Sequence, residues 1–213
     1  MAHYDLEEQE QIDTLKTWWK MYGNMVTGLI TVVCIAVVGW QGWGWYKNNQ
    51  AAEASAVFAV LEQAVAAGDA QKIKSTAGEL VAKHGSTSYA ALGALLAARH
   101  SFETGDLKTA KSQLAWAADN AREEIRDLAR LRLAAVQLDE QQYDEALKQL
   151  DAGSAPAFAS RYQELRGDIL LAQGKQQEAR AAYQAAIDKI SGASGGAGRE
   201  LLQQKLDSLG GAA

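Results

Sequence analysis

Gly174-Lys-Gln-Gln-Glu-Ala179-Arg-Ala-Ala-Tyr183 reads as a helix entered from a glycine turn. Glycine takes φ > 0 just past a helix end without a Cβ clash. The same phrase stands twice earlier, as Gly105-Asp-Leu-Lys-Thr-Ala110-Lys-Ser-Gln-Leu114 and Gln141-Gln-Tyr-Asp-Glu-Ala146-Leu-Lys-Gln-Leu150. The anchoring alanines lie 36 and 33 residues apart. In each phrase a small residue lets two helices approach, while Leu or Tyr fills the gap to the next pair. Each unit is then a helical hairpin that buries its apolar face only by stacking on a neighbour.

The spacing is close to the period of about 34 residues of the tetratricopeptide repeat. The third copy matches that pattern best, with Gly167, Gly174, Ala179, Tyr183 and Ala186 on consensus positions. The second copy departs from it, carrying Gln141 where the others have the turn glycine. Polar joints punctuate the chain at 67–69, 83–88, 104–106, 139–142, 153–156 and 173–175. Residues 51–84 form a less regular hairpin, with Val57, Val60, Leu61 and Val65 on one helix and Ile73, Leu80 and Val81 on the next. Ser191-Gly-Ala-Ser-Gly-Gly-Ala-Gly198 reads as a flexible joint. Beyond it, Leu201, Leu202, Leu206 and Leu209 suit one face of a final helix that covers the end of the stack.

Ahead of the repeats, residues 21–46 contain no Asp, Glu, Lys, Arg or His. As a helix this run is about 39 Å long at 1.5 Å per residue, against about 30 Å of bilayer hydrocarbon. Trp18, Trp19 and Tyr22 sit at one end, and Trp40, Trp43, Trp45 and Tyr46 at the other. Amphipathic aromatic rings favour the headgroup zone, so two such belts mark a spanning helix. The apolar run is longer than a signal-peptide core, the start is acidic, and Ala54-Ser-Ala56 lies well past the run. The expectation is an uncleaved anchor. Lys16 and Lys20 precede it and Lys47 alone follows closely, which puts the short N-terminus in the cytosol. In a bacterium the bulk then lies in the periplasm. Ile12, Leu15, Trp19 and Tyr22 share one helical face leading into the span.

The expected architecture is all-α: a single transmembrane helix, then a tetratricopeptide-like helical-hairpin solenoid. The expected divisions are a cytosolic acidic segment at 1–20, the span at 21–46, the repeat domain at 47–190, and the joint with its capping helix at 191–213. One proline in 213 residues agrees with a helical chain. A formal charge of −5 speaks against a nucleic-acid binder. Cys34 is the one cysteine, so no intrachain disulfide forms and a Cys/His zinc site is not expected. The motifs of serine hydrolases, phosphate-binding loops, zinc proteases and dinucleotide folds are missing. Neither an enzyme nor a bound cofactor is expected.

A solenoid of this type offers a concave face lined by the first helix of each repeat. The repeat register puts Leu92, Leu95, Arg99 and Phe102 there from the first copy. The second contributes Leu128, Leu131, Ala135 and Leu138, and the third Arg161, Glu164 and Asp168. Leucines and a Phe bordered by charge suit an apolar or amphipathic peptide. Arg122, Arg126, Arg130 and Arg132 are dense enough to suggest an anion site, but Glu123, Glu124 and Asp127 interleave with them, which reads more simply as i,i+4 pairing on a wetted helix.

The whole chain resembles the YfgM family, the ancillary subunit of the bacterial SecYEG translocon. The resemblance is carried by the acidic start, the aromatic-ended span and Ser88-Tyr-Ala-Ala-Leu92. It continues through Leu131-Arg-Leu-Ala134, Leu165-Arg-Gly-Asp168 and the closing Gln204-Lys-Leu-Asp-Ser-Leu209. It implies a single-pass inner-membrane protein with a periplasmic repeat domain. The implied partners are SecYEG, the membrane-anchored chaperone PpiD and emerging secretory polypeptides, handed on to periplasmic chaperones. It also implies, for some members, control of an envelope-stress response through the cytosolic segment. A structural scaffold in the envelope is the remaining alternative.

Overall fold

The computed structural model describes residues 6–190 and 196–210, and these form helices and short turns with no strand among them. The helices are α1 (Leu6–Ala67), α2 (Ala70–His84), α3 (Ser88–Glu103), α4 (Leu107–Asn120), α5 (Glu123–Asp139), α6 (Tyr143–Asp151), α7 (Ala159–Ala172), α8 (Gln176–Asp188) and α9 (Gly196–Ser208), with one 3₁₀ turn at Pro156–Phe158. Contacts divide the chain into a first unit ending at Gln50 and a second beginning at Ala51.

The first unit is the leading part of α1, which among the described residues is long and apolar enough to cross a membrane. Leu29, Val32, Ile35 and Val38 all point outward. Apolar area of that extent is stable against hydrocarbon rather than water. The two threonines inside it remain compatible with lipid because their hydroxyls donate back to the helix. Thr27 Oγ1 bonds Gly23 O at 2.7 Å, and Thr31 Oγ1 bonds Thr27 O at 2.8 Å. Trp18 packs against Trp19 and Tyr22 near one end, and Trp43 against Tyr46 near the other. Lys47 Nζ lies 5.4 Å from the Trp43 ring centroid, a cation held over an interfacial aromatic.

The second unit is a stack of hairpins: the end of α1 with α2, then α3 with α4, α5 with α6, and α7 with α8. Four turns within the hairpins share one geometry. Gly68, Gly105 and Gly174 take φ of +67°, +82° and +78°, and Gln141 occupies the equivalent place at +61°. In each, the next amide donates to a carbonyl five residues back. These bonds are Asp69 to Ala64 at 3.0 Å, Asp106 to Ser101 at 2.8 Å, Gln142 to Gln137 at 2.8 Å and Lys175 to Leu170 at 2.9 Å. This is the Schellman closure of a helix end. Asp69 and Asp106 then cap the following helices through the amides of Lys72 and Thr109, each at 3.0 Å.

The core is built largely of alanine. Ala54, Ala90, Ala110, Ala129, Ala134, Ala146, Ala179 and Ala186 are all fully buried. Small side chains let helices close up, and larger residues lock the layers. Tyr183 lies over Gly167 so tightly that a Cβ there would meet its ring at 2.5 Å. Where the α6–α7 connection crosses the stack, the buried Asp127 carboxylate accepts the Ala155 amide at 2.7 Å. The Tyr162 hydroxyl donates to the Asp127 carbonyl at 2.9 Å.

Helix α9 packs on α8, with Leu202 and Leu206 buried beside Tyr183, Ala186 and Ile187. Leu201 differs from the amphipathic expectation and stands 49 % exposed, because the face covered by α8 runs through 202, 206 and 209. The glycine-rich joint falls mostly on residues 191–195, outside the described residues; Gly196 and Gly198 already belong to α9. Val60 also points outward, while Leu61 and Ala64 make the buried side of its helix.

Candidate functional site

Helices α3, α5 and α7, the first of their hairpins, share one grooved face. Three positions recur on it at a spacing of 33 residues. The first is Ala98, Leu131 and Glu164; the second is Arg99, Arg132 and Leu165; the third is Phe102, Ala135 and Asp168. Between α3 and α5 lies a cavity of about 360 Å³, walled by Ala98, Arg99, Phe102, Leu114, Arg132, Ala135, Val136 and Asp139. Between α5 and α7 lies another of about 300 Å³, walled by Leu131, Arg132, Ala135, Arg161, Glu164, Leu165 and Asp168. Arg132 and Ala135 border both, so the trough runs across all three helices.

The repeat register and the cavity linings share part of their residues. Arg99, Phe102, Leu131, Arg161 and Asp168 line the two cavities, as do Ala135 and Glu164. Leu92 is exposed on α3 but borders neither. Leu95 is a correction: it is 4 % exposed and packs in the core with Leu114, Leu133 and Val136. Leu128 and Leu138 are half-buried against core clusters on either side of α5 and border neither cavity. The physical reason is that α5 packs against α4, α6 and α7 together. Its leucines serve several interfaces, and leucine periodicity alone does not identify the open one.

Arg132 is a groove residue that the repeat register left out, although the signal was present. Arg99 moved on by one 33-residue repeat is Arg132. The arginine-rich stretch does not form the expected i,i+4 pairs either. Asp127 faces the interior, and Arg126 Nε approaches it only to 3.8 Å.

The charges of the groove differ in how they are answered. Arg99 Nε bonds Glu103 Oε1 at 2.8 Å, which holds its guanidinium above the ordinary range. Burial, then the neighbouring Arg99, holds the Arg132 guanidinium below its ordinary range. At the far end Lys205 Nζ, from α9, donates to Glu164 at 2.9 Å and to Asp168 at 2.8 and 3.0 Å. Asp168 also accepts the Tyr183 hydroxyl at 2.7 Å, so this carboxylate works first as an internal tie. Among the described residues no set of His, Cys, Asp and Glu converges as a metal centre. The arrangement offers apolar cavities edged by side chains of both charges, which is chemistry for binding a polypeptide.

Comparison with known proteins places this geometry in a family. A tetratricopeptide repeat-like domain model matches residues 16–211. A Neisseria gonorrhoeae protein named ancillary SecYEG translocon subunit is 35 % identical over 209 residues, covering 96 % of this chain and 98 % of that protein. Proteins of the same name from Haemophilus influenzae and Escherichia coli are each 30 % identical. The first match covers 97 % of this chain and 99 % of that protein, and the second 95 % and 96 %. No solved structure gives a significant match. The chain belongs to the tetratricopeptide repeat-like family that includes these proteins.

Proposed function

We propose, from that membership, that this chain is a non-catalytic ancillary subunit of a SecYEG translocon, held in the bacterial inner membrane by the apolar part of α1. The near-full-length match to proteins of that name carries this reading. The aromatic-ended helix supplies the membrane address. Lys16 and Lys20 ahead of the span favour a cytosolic N-terminus, and hence a periplasmic repeat domain. In that compartment the α3–α5–α7 trough receives segments of emerging polypeptides and passes them to periplasmic chaperones. PpiD is the membrane-anchored chaperone partner in this scheme. Tethering raises the effective concentration of the trough at the translocon exit, so weak binding to each segment is sufficient.

Mild detergent extraction of the full chain, followed by identification of co-purifying proteins, tests the assignment. SecY, SecE, SecG and PpiD are expected in the eluate. A eluate lacking all of the translocon subunits, from cells that contain them, would refute it. Protease added to intact spheroplasts is expected to digest the repeat domain; protection there, with digestion after lysis, would reverse the topology.

A further inference from the structure

The trough holds cations with no ion-pair partner among the described residues, Arg132 and Arg161. Arg132 stands at its middle, on the border of both cavities, with no carboxylate partner among the described residues. The nearby acids are otherwise engaged. Glu103 is bonded to Arg99 at 2.8 Å, and Glu164 and Asp168 are bonded to Lys205 at 2.9 and 2.8 Å. Asp139 follows Arg132 by seven residues on the same helix, about 10 Å along its axis. A guanidinium set between two cavities and next to a second guanidinium gains from an incoming anion. Immediately beside it, the larger cavity presents Phe102, 43 % exposed, over the buried Ala98, Leu114 and Val136.

We propose that the trough selects polypeptide segments in which one side-chain carboxylate adjoins a bulky apolar residue, the carboxylate on Arg132 and the apolar side chain against Phe102. This rests on the reading of the trough as a polypeptide site and names what that site prefers. The carboxylate belongs to an internal Asp or Glu rather than to a chain end, because the trough continues past Arg132 in both directions. A single acid fits best. Asp139 at one side repels further negative charge along the path, and at the other Glu164 and Asp168 share Lys205 beside Arg161. Arg132 thus acts as a specificity residue in a site whose affinity comes from its apolar wall.

Full-length protein in detergent micelles at low salt tests this by fluorescence anisotropy. The probes are a short labelled peptide of leucine, serine and asparagine with one central glutamate, its glutamine counterpart, and a polyglutamate tract. The glutamate peptide is expected to bind about tenfold more tightly than the glutamine peptide. Polyglutamate is expected to bind no better than the glutamine peptide. Arg132→Ala should erase the preference, bringing the glutamate and glutamine peptides to equal affinity, and Arg132→Lys should keep part of it. Phe102→Ala should weaken both leucine-bearing peptides alike. Equal binding of the glutamate and glutamine peptides, or a preference that persists in Arg132→Ala, overturns the inference. If Phe102→Ala still weakens both, the trough remains a polypeptide site. Indifference of both peptides to Phe102→Ala overturns the site and the inference together. Circular dichroism of each variant confirms its fold, and Arg132 ends in solvent, so its loss leaves no cavity.

Discussion

The Tyr183 hydroxyl donates to Asp168 Oδ1 at 2.7 Å, joining α8 to the groove helix α7 through the most crowded point of the third hairpin. Lys205 completes the tie, with its ammonium on the same carboxylate and 5.5 Å from the Tyr183 ring centroid. One acid therefore fixes both the second helix of the hairpin and the helix that closes the stack.

Asp168→Ala should loosen this end of the protein. It leaves a buried phenol and a half-buried ammonium short of their acceptor, at a cost of about 1–3 kcal/mol. Amide exchange in α9 is expected to speed up while α3 and α4 stay protected. Equal protection in α9 before and after the substitution would sink the tie.

Alkali should act in the same place. Burial, then Asp168, hold the Tyr183 phenol above its ordinary value, and burial with Asp127 pushes Tyr162 up to about 12. Burial lowers the Lys205 pKa, but its bonds to Asp168 and Glu164 outweigh that and leave it raised. All three bind their proton more tightly folded than unfolded. Their stabilisation is complete below the unfolded values near 10.0 and 10.5 and fades as pH climbs through the folded ones. The melting temperature should be level between about pH 7 and about pH 9 and fall above about pH 10. Tyr183→Phe should make that fall shallower. A melting temperature that rises above about pH 10 would contradict the assignment.

Gly167→Ala should be among the most damaging single changes in the repeat domain. The added methyl meets the Tyr183 ring at 2.5 Å, and that ring is 1 % exposed with no room to retreat. Overpacking of this kind costs about 1–3 kcal/mol. Chemical denaturation that finds no loss would show that the two helices separate freely.

Gln141→Gly should go the other way. Gln141 holds φ of +61° in a turn whose counterparts use glycine at 68, 105 and 174. Relief of the left-handed penalty outweighs the extra freedom of the unfolded chain, for a net gain of about 0.5–1 kcal/mol. A drop in the denaturation midpoint would mean that the Gln141 side chain supports the turn.

Sites of contact with substrate should follow the trough. A photocrosslinker at Phe102, Leu131 or Arg132 is expected to label exported polypeptides, and one at the outward Lys108 of α4 is not. Labelling from Lys108 alone would move the binding surface to the other side of the stack.

Most of the architecture was legible because turns and packing demand particular residues. Gly105 and Gly174 announce the hairpin turns, and Ala110, Ala146 and Ala179 set the period. The break between α4 and α5 carries no such sign. Ala121 and Arg122 simply extend there, with ψ of 162° and 144°, and the positive φ falls on Glu123. The trough was legible only in part. Leu95 has the spacing of a groove residue, yet its helix is buried on that side, and α5 spreads leucine over several interfaces at once. The better guide was translation by one repeat, which carries Arg99 onto Arg132 and Phe102 onto Ala135.

A hairpin array has no intrinsic length, since each unit offers the next a ready landing place. Leu202 and Leu206 of α9 occupy the final one, and the Lys205 bonds keep them there. The last helix is thus a stopper: without it, Ile187 and Tyr183 would form an adhesive rim, and neighbouring molecules crowded in the same bilayer could grow on one another end to end.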